Sequence, residues 1–409
     1  MYKEISKCRV CGSEHLKTVL SLGVQALTGV FPKSEKQPVT SGPVDMVWCE
    51  DCNLVQLKQS YSLGEMYGEN YGYRSGLNAA MVRHLEGKIR ALEALAQPSA
   101  EDVVIDIGSN DATSLKAYTG KQQRVGIDPT GTKFKRFYTE DIELIPDFFS
   151  AQLFNEKFPG RTAKIVTSIA MFYDLESPMD FVKEVYNVLA HDGIWHFEQS
   201  YLPSMLDTNS YDTICHEHLE FYSLSVVKNM LEKVGFRIID VQLNDVNGGS
   251  FAVTACKQDA HYTSNSISVE RLLSAEKAMK LDTIDPYLAF AERVFAQRKE
   301  LVDLINTLIA GGKRVMGYGA STKGNVLLQY CNFTSDQLSC IAEVNPDKYG
   351  SMTPGTHIKI VSEAEAKADN PDYLLVLPWH FKAGILAREK EYLAKGGKFI
   401  FPLPNVEIV

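Results

Sequence analysis

Val103-Val104-Ile105-Asp106-Ile107-Gly108-Ser109-Asn110-Asp111-Ala112-Thr113 is an apolar run that stops at a small-residue turn. A short, nearly continuous apolar segment of this kind reads as a buried strand of a parallel sheet, and the turn leads into a helix. The next strand, Arg124-Val125-Gly126-Ile127-Asp128, ends in an acid. The result is a β-loop-α-β unit with a carboxylate at the end of its second strand, where it can accept both hydroxyls of a ribose. A dinucleotide site would need G-x-G-x-x-G so that backbone could approach a pyrophosphate. This turn has Gly108 alone, and Asp111 would repel phosphate. A cofactor with a ribose, a cationic centre and no phosphate fits better, and S-adenosylmethionine is such a molecule. Asp106, Gly108, Asn110 and Asp128 are the cofactor-binding candidates of this unit. The competing reading is an ordinary α/β turn in which Asp128 caps a helix.

Outward from this unit, Leu77, Met81, Leu85, Ile89, Leu92 and Leu95 recur at helical spacing, which predicts an amphipathic helix over 76–97. Later strands are expected at Ala163–Ile169 and Gly193–Gln199, with Gln199 at a carboxyl end that faces the ligand crevice. Gly235–Val241 and Ser250–Ala255 read as a closing pair joined through Asn247-Gly248-Gly249. The fold class expected is α/β, a Rossmann-like core.

Tyr211-Asp212-Thr213-Ile214-Cys215-His216-Glu217-His218-Leu219-Glu220-Phe221-Tyr222 is the densest collection of proton-transfer groups in the chain. Histidine titrates near neutrality, so His216 and His218 are natural general-base candidates. The spacing is His-Glu-His, and Pro203 and Asp212 interrupt any long helix, which excludes the His-Glu-x-x-His metalloprotease pattern. A surface loop with incidental histidines is the plainer alternative.

At the amino terminus, Cys8-Arg9-Val10-Cys11 and Cys49-Glu50-Asp51-Cys52 form two C-x-x-C units separated by residues 12–48. Such units place four thiolates on one tetrahedral metal, and Gly12 suits the tight turn of a knuckle. Cys8, Cys11, Cys49 and Cys52 are therefore expected to hold a structural zinc, with an intervening insert that has strands of its own. A redox role needs only one such unit.

The whole chain has 409 residues, enough for two to four domains, and a net charge of −9, which argues against a nucleic acid as main partner. Neither an apolar leader nor a run long enough to span a membrane is read in the sequence, so the expectation is a cytoplasmic protein with no membrane partner, a monomer or small homo-oligomer.

After a polar break at 258–267, a long helical stretch is expected from Val269 to Ala310, followed by Arg314-Val315-Met316-Gly317-Tyr318-Gly319-Ala320-Ser321-Thr322-Lys323-Gly324-Asn325. Its glycines would let backbone amides approach an anion, and Lys323 adds positive potential. Gly317, Gly319, Ser321, Lys323 and Asn325 are thus substrate-phosphate candidates. A purely structural glycine turn is the competing reading.

Together the four-cysteine knuckles, I-D-I-G-S-N-D, H-E-H-L-E-x-Y and N-x-G-G-S resemble the family of sugar C-methyltransferases acting on nucleotide-linked keto-deoxysugars, over nearly the whole chain. The resemblance implies a zinc-binding module (1–70), a class I methyltransferase core (71–258) and a C-terminal Rossmann-like α/β module (259–409) that binds the nucleotide diphosphate. It implies S-adenosylmethionine as cofactor and His218 as base, assisted by Glu217 and by tyrosines such as Tyr222. Tyr71 and Tyr73 look like the segment that closes over the ligands. Three departures stand out: Cys215 where tyrosine is common, Ala112 where glycine is usual, and Ser168 with Phe172-Tyr173-Asp174 in place of an asparagine and a histidine. O-methyl transfer to a small hydroxylated acceptor, or a zinc-ribbon binding protein with a decayed cofactor site, are the alternatives.

Overall fold

The computed structural model describes residues 2–66 and 73–409; Tyr71 lies outside them. Two short strands, β1 (Lys3–Glu4) and β5 (Gln59–Ser60), pair antiparallel, and between them β2 (Leu16–Ala26), β3 (Ser41–Cys49) and β4 (Val55–Leu57) form an antiparallel sheet. The insert between the cysteine pairs is thus a hairpin. Its inner face carries Val19, Leu20, Val44, Met46 and Trp48, all buried.

The central sheet is built from β6 (Val103–Ile107), β7 (Gln123–Ile127), β8 (Ile142–Ile145), β9 (Ala163–Ile169), β10 (Leu189–Ser200), β12 (Phe236–Asn244) and β13 (Ser250–Lys257), in the order β12-β13-β10-β9-β6-β7-β8. The strands from β8 to β10 run parallel, and β13 is antiparallel to both its neighbours. Every residue of β6 is buried, as its uninterrupted apolar run requires. This is the Rossmann-like class I methyltransferase arrangement expected from the sequence. The strand order reverses between β6 and β9, so the crevice at their carboxyl ends is where a ligand belongs. The helix read over 76–97 is Ala79–Ala96, capped by the Asn78 side chain, with Leu85, Ile89 and Leu92 buried.

Between β10 and β12 the chain leaves the sheet. It forms a short helix (Leu202–Asp207), a single 3-10 turn (Tyr211–Thr213) and β11 (Glu220–Phe221), which joins the edge of β4 in the N-terminal sheet. Pro203 starts that helix rather than ending it. Leu202, Tyr211, Ile214, Cys215 and Leu219 share one apolar cluster with Trp48 of the N-terminal sheet and with Tyr287, Met316 and Trp379 of the tail. The His-Glu-His segment therefore runs through the junction of all three parts.

The tail contains β14 (Val315–Tyr318), β15 (Ile341–Glu343), β16 (Ile360–Ser362), β17 (Tyr373–Val376), β18 (Lys398–Phe401) and β19 (Glu407–Ile408), ordered β16-β15-β14-β17-β18-β19, with only β19 antiparallel. The single helical stretch expected from Val269 to Ala310 is two helices, Ser266–Ala278 and Asp285–Ala310. Lys280 adopts a left-handed φ of 57°, and Pro286 opens the second helix, so the chain turns between them. The first helix packs on the central sheet: Val269 and Leu272 join its core, and Glu276 accepts from the amides of Leu224 and Ser225 and from the Tyr201 hydroxyl. Among the described residues, no helix is long and apolar enough to cross a membrane.

Candidate active site

The four cysteine sulfurs all lie within 4.8 Å of one another, with Cys8–Cys52 and Cys11–Cys49 each at 3.5 Å. Two matching turns build this arrangement. The Gly12 amide donates to Cys8 O at 2.9 Å and the Asn53 amide to Cys49 O at 2.9 Å, each closing residue left-handed (φ 77° and 63°). Glycine and asparagine are the residues that take that conformation readily. None of the four thiols is in a disulfide, and the Cys8–Cys52 contact pulls the Cys8 thiol down to about 4 while pushing Cys52 up. Four convergent sulfurs with one already favoured as thiolate fit a zinc ion held entirely by protein, which makes the site structural.

In the cofactor crevice, Gly108 turns left-handed (φ 74°), and a β-carbon there would meet Met171 Cγ at 3.1 Å. Asp128 is buried. Its Oδ2 accepts from the Asn110 amide at 2.7 Å, and its Oδ1 from the Thr130 amide and hydroxyl, each at 2.6 Å. A carboxylate has about four acceptor positions, so a ribose hydroxyl can still be taken on Oδ2. Asn110 and Asp111 strap the preceding segment over the turn: Asn110 accepts from the Ser75 amide (3.1 Å) and donates to Tyr73 O (3.2 Å), while Asp111 accepts from the Gly76 amide (3.0 Å). Tyr73 thereby borders the crevice through its backbone, its ring half exposed. Asp106 is buried with Thr167 Oγ1 donating to it at 2.6 Å, and burial lifts its carboxyl to about 7. It braces β6 against β9. Gln199, buried at the end of β10, has neither its amide oxygen nor its nitrogen hydrogen-bonded among the described residues. An unmatched amide at a strand's carboxyl end is what a polar ligand in this crevice would satisfy.

His218 is half-buried. Its Nδ1 donates to Thr213 O at 2.7 Å, which leaves Nε2 as the unprotonated nitrogen, and the Tyr173 ring packs edge-on at 4.4 Å. Burial draws its pKa down to about 4, against the opposing charge of Glu217 and with help from Lys323. Glu217 does not hydrogen-bond the imidazole. Thr28 Oγ1 donates to its Oε2 at 3.1 Å, and Gly29 leaves the room its Oε1 occupies. The tail closes the other side. Lys323 Nζ donates to Asn247 O at 2.6 Å, Trp379 Nε1 donates to Asp212 Oδ2 at 2.8 Å, and a β-carbon at Gly248 would touch the Trp379 ring at 3.6 Å. His380, beside Trp379, has an Nδ1 without a hydrogen bond among the described residues and a pKa drawn down to about 3 by burial and by Lys323.

Several expectations from the sequence are corrected. His216 is fully buried against the N-terminal module, its Nε2 3.1 Å from Gln25 O and its ring edge-on to Tyr61, so it cannot serve as a base in the crevice. Tyr222 is fully buried too, stacked on Phe172 at 5.2 Å within the aromatic core. The extended chain between 218 and 222 carries it inward. The glycine turn of the tail is not an open anion cradle. The amides of Gly317 and Gly319 donate to Cys340 O and Ala342 O, and that of Ala320 to the Glu343 carboxylate at 2.7 Å, so an acid already holds the place an anion would take. Gly317 instead leaves space for Ile341, Ser321 caps the helix Thr322–Tyr330, and Asn325 donates to Thr28 O at 2.7 Å. Of this group Lys323 and Asn325 reach the junction, Lys323 through Asn247 O and Asn325 through Thr28 O. Sequence reading missed Thr28, Asp212, Asn247 and Trp379 as parts of the junction. Asn247 and Asp212 sat inside quoted motifs, but nothing local to Thr28 or Trp379 signals contacts that span 189 and 167 positions.

Three family descriptions match the chain in sequence: a zinc binding domain at 8–67, a methyltransferase domain at 81–241 and a C-methyltransferase C-terminal domain at 245–404. The C-methyltransferase NovU of Streptomyces niveus is 30% identical over 412 residues, covering 100% of this chain and 97% of that protein. Among solved structures, the YcgJ protein of Bacillus subtilis (16% identity, TM-score 0.34) aligns with 44% of this chain and 100% of its own. The 1,6-didemethyltoxoflavin-N1-methyltransferase of Burkholderia thailandensis (12%, TM-score 0.33) aligns with 45% and 81%. With a relative matched from end to end, a four-sulfur cluster ahead of the core and a class I sheet within it, the chain belongs to the family of S-adenosylmethionine-dependent C-methyltransferases.

Proposed function

We propose that the enzyme methylates a carbon beside the ketone of a nucleotide-linked keto-deoxysugar, with His218 as the base. The observation that carries this reading is the geometry of one imidazole. Nδ1–H is committed to the Thr213 carbonyl, which leaves Nε2 as the proton acceptor, on a segment whose Cys215 and Leu219 pack in the cluster shared by core, tail and N-terminal module. In the reaction the substrate's C–H proton moves to His218 Nε2 and the electron pair delocalises onto the ketone oxygen as an enolate. Glu217 lies close enough for its charge to favour the imidazolium that forms. Lys323, with one of its three N–H groups on Asn247 O, supplies positive charge on the tail side of the junction. S-adenosylmethionine, when bound, supplies the electrophilic methyl that the enolate carbon takes. Gly108, Asn110, Asp128, Gln199 and the Tyr73 segment would hold it, and Cys8, Cys11, Cys49 and Cys52 would hold zinc. The functional units proposed are residues 1–70, 71–258 and 259–409, the last donating its first helix to the core's packing.

The test supplies the enzyme with 13C-methyl S-adenosylmethionine and a panel of nucleoside-diphosphate keto-deoxysugars. The reading expects a product heavier by one labelled methyl whose 13C resonance couples to a ring carbon. A methyl ether would assign the enzyme to O-transfer, and no methyl gain across the panel would contradict the substrate class.

A further inference from the structure

The turn Tyr211–Thr213 supplies the carbonyl that holds His218, yet its own support comes from the tail. Trp379 Nε1 donates to Asp212 Oδ2 at 2.8 Å across 167 positions of sequence. Tyr211 OH donates to Gln297 Oε1 at 2.8 Å, and Gln297 Nε2 donates in turn to Pro402 O at 2.6 Å. Tyr211, Asp212, Gln297 and Trp379 are all buried. The turn is thus pinned by tail residues through its first and second members, while its third member, Thr213, presents the oxygen at 2.7 Å from His218 Nδ1. A 3-10 turn of three residues has little stability of its own, so its position is set by these ties.

We infer that Trp379 is a positioning residue for the base: its indole N–H fixes Asp212, the turn fixes Thr213 O, and Thr213 O fixes the orientation and tautomer of His218. The inference rests on the reading of His218 as base. Without the indole tie the Thr213 carbonyl drifts, Nδ1–H loses its acceptor, and a smaller share of the imidazole presents a bare Nε2 to substrate. Because a hydrogen bond accepted from Nδ1–H also stabilises the imidazolium, its loss makes the base weaker. The charged groups facing His218 are Glu217 from its own segment and Lys323 from the tail helix, with the Tyr173 phenol ring alongside. None of them is changed by substitution at Trp379.

The experiment uses the full-length enzyme and compares W379F, D212N, D212A and H218N with wild type in kcat, KM for the nucleotide sugar, cofactor affinity and the pH profile. W379F keeps the ring and removes the N–H. It should lower kcat roughly 10- to 100-fold, the scale of one misplaced catalytic group, with KM and cofactor affinity within about twofold and the acid limb moved to lower pH. D212A should match it, D212N should restore most of kcat because its amide oxygen can still accept, and W379F/D212A should be no slower than either single variant. Unchanged kcat and acid limb in W379F would overturn the inference, as would a D212N enzyme as slow as D212A. If W379F fails to fold, the D212A and D212N pair decides the matter alone. H218N separates the two levels. If it still exchanges substrate protons with solvent, the reading of His218 as base fails; if it does not while W379F behaves as wild type, only the positioning role fails.

Discussion

Replacing Arg9 with methionine should destabilise the enzyme by about 3–5 kcal/mol, the scale of removing one partner of a buried charged pair together with the hydrogen bonds it makes. Arg9 lies between the first two cysteines, its side chain 3% exposed, with Nε 3.7 Å from Oε1 of Glu220, whose side chain is 0% exposed. The guanidinium also donates to Leu57 O at 2.5 Å, to Ser60 Oγ at 2.8 Å and to Gln59 O at 3.2 Å, so it ties the first knuckle to β4, β5 and β11 together. Burial pushes the Glu220 carboxyl well above the usual range, and Arg9 is the largest influence holding it down. The sign of the pH effect follows. A carboxyl raised in the folded state contributes stability that is complete below its unfolded value, near 4.5, and is lost as pH rises through the folded value. Arg9→Met raises the folded value further, so urea denaturation should show stability falling by up to about 1.4 kcal/mol per pH unit between the unfolded and folded values, over a wider pH range in the variant than in wild type. Glu220→Gln on the Arg9→Met background should remove this slope and recover about 2 kcal/mol at pH 7. A loss below about 1 kcal/mol at pH 7, or a double variant no more stable than the single, would refute the reasoning.

A Cys8→Ser, Cys49→Ser double variant should lose zinc, measured by metal analysis of the purified protein, and should melt earlier than wild type, because thiolate ligation supplies much of a small module's folding energy. Asp128→Ala should weaken S-adenosylmethionine binding by about 1.5–3 kcal/mol in calorimetry, since it removes the proposed ribose acceptor along with the anchor of the Asn110 amide. With the His218 imidazole drawn down to about 4, kcat/KM should hold across neutral pH and fall only as pH drops through that value and the base is protonated. A limb near 6.5 would mean that a different group, or a fully solvated histidine, carries the reaction.

The central sheet was legible because β6 and its turn are local: an apolar run, one left-handed glycine and an acid one strand later define the crevice without help from the rest of the chain. The same holds for the cysteine knuckles, where Gly12 and Asn53 close two equal turns. Ala112, which departs from the glycine usual in this turn, has φ 61° and lies fully buried; the position calls for left-handed backbone, and alanine bears that strain while packing in the core. Facing was harder to read. His216 and His218 are two positions apart and would share a face of a strand, but the segment is irregular, so one points into the N-terminal module and the other into the junction. The tail's glycine turn looked like a phosphate cradle because glycines serve close packing as well as anion approach, and only the paired amides and Glu343 distinguish the two. Thr28 and Trp379 reach the site through contacts spanning 189 and 167 positions, which no local pattern encodes.

The central claim is that Nε2 of His218 removes the proton beside the ketone. Its most direct test is solvent deuterium exchange into the nucleotide sugar, followed by NMR in the presence of S-adenosylhomocysteine so that no methyl can be transferred. Wild type should exchange that one position, and His218→Asn should slow the exchange by about two to four orders of magnitude while both ligands still bind. Exchange at the wild-type rate in His218→Asn, with binding intact, would contradict the account.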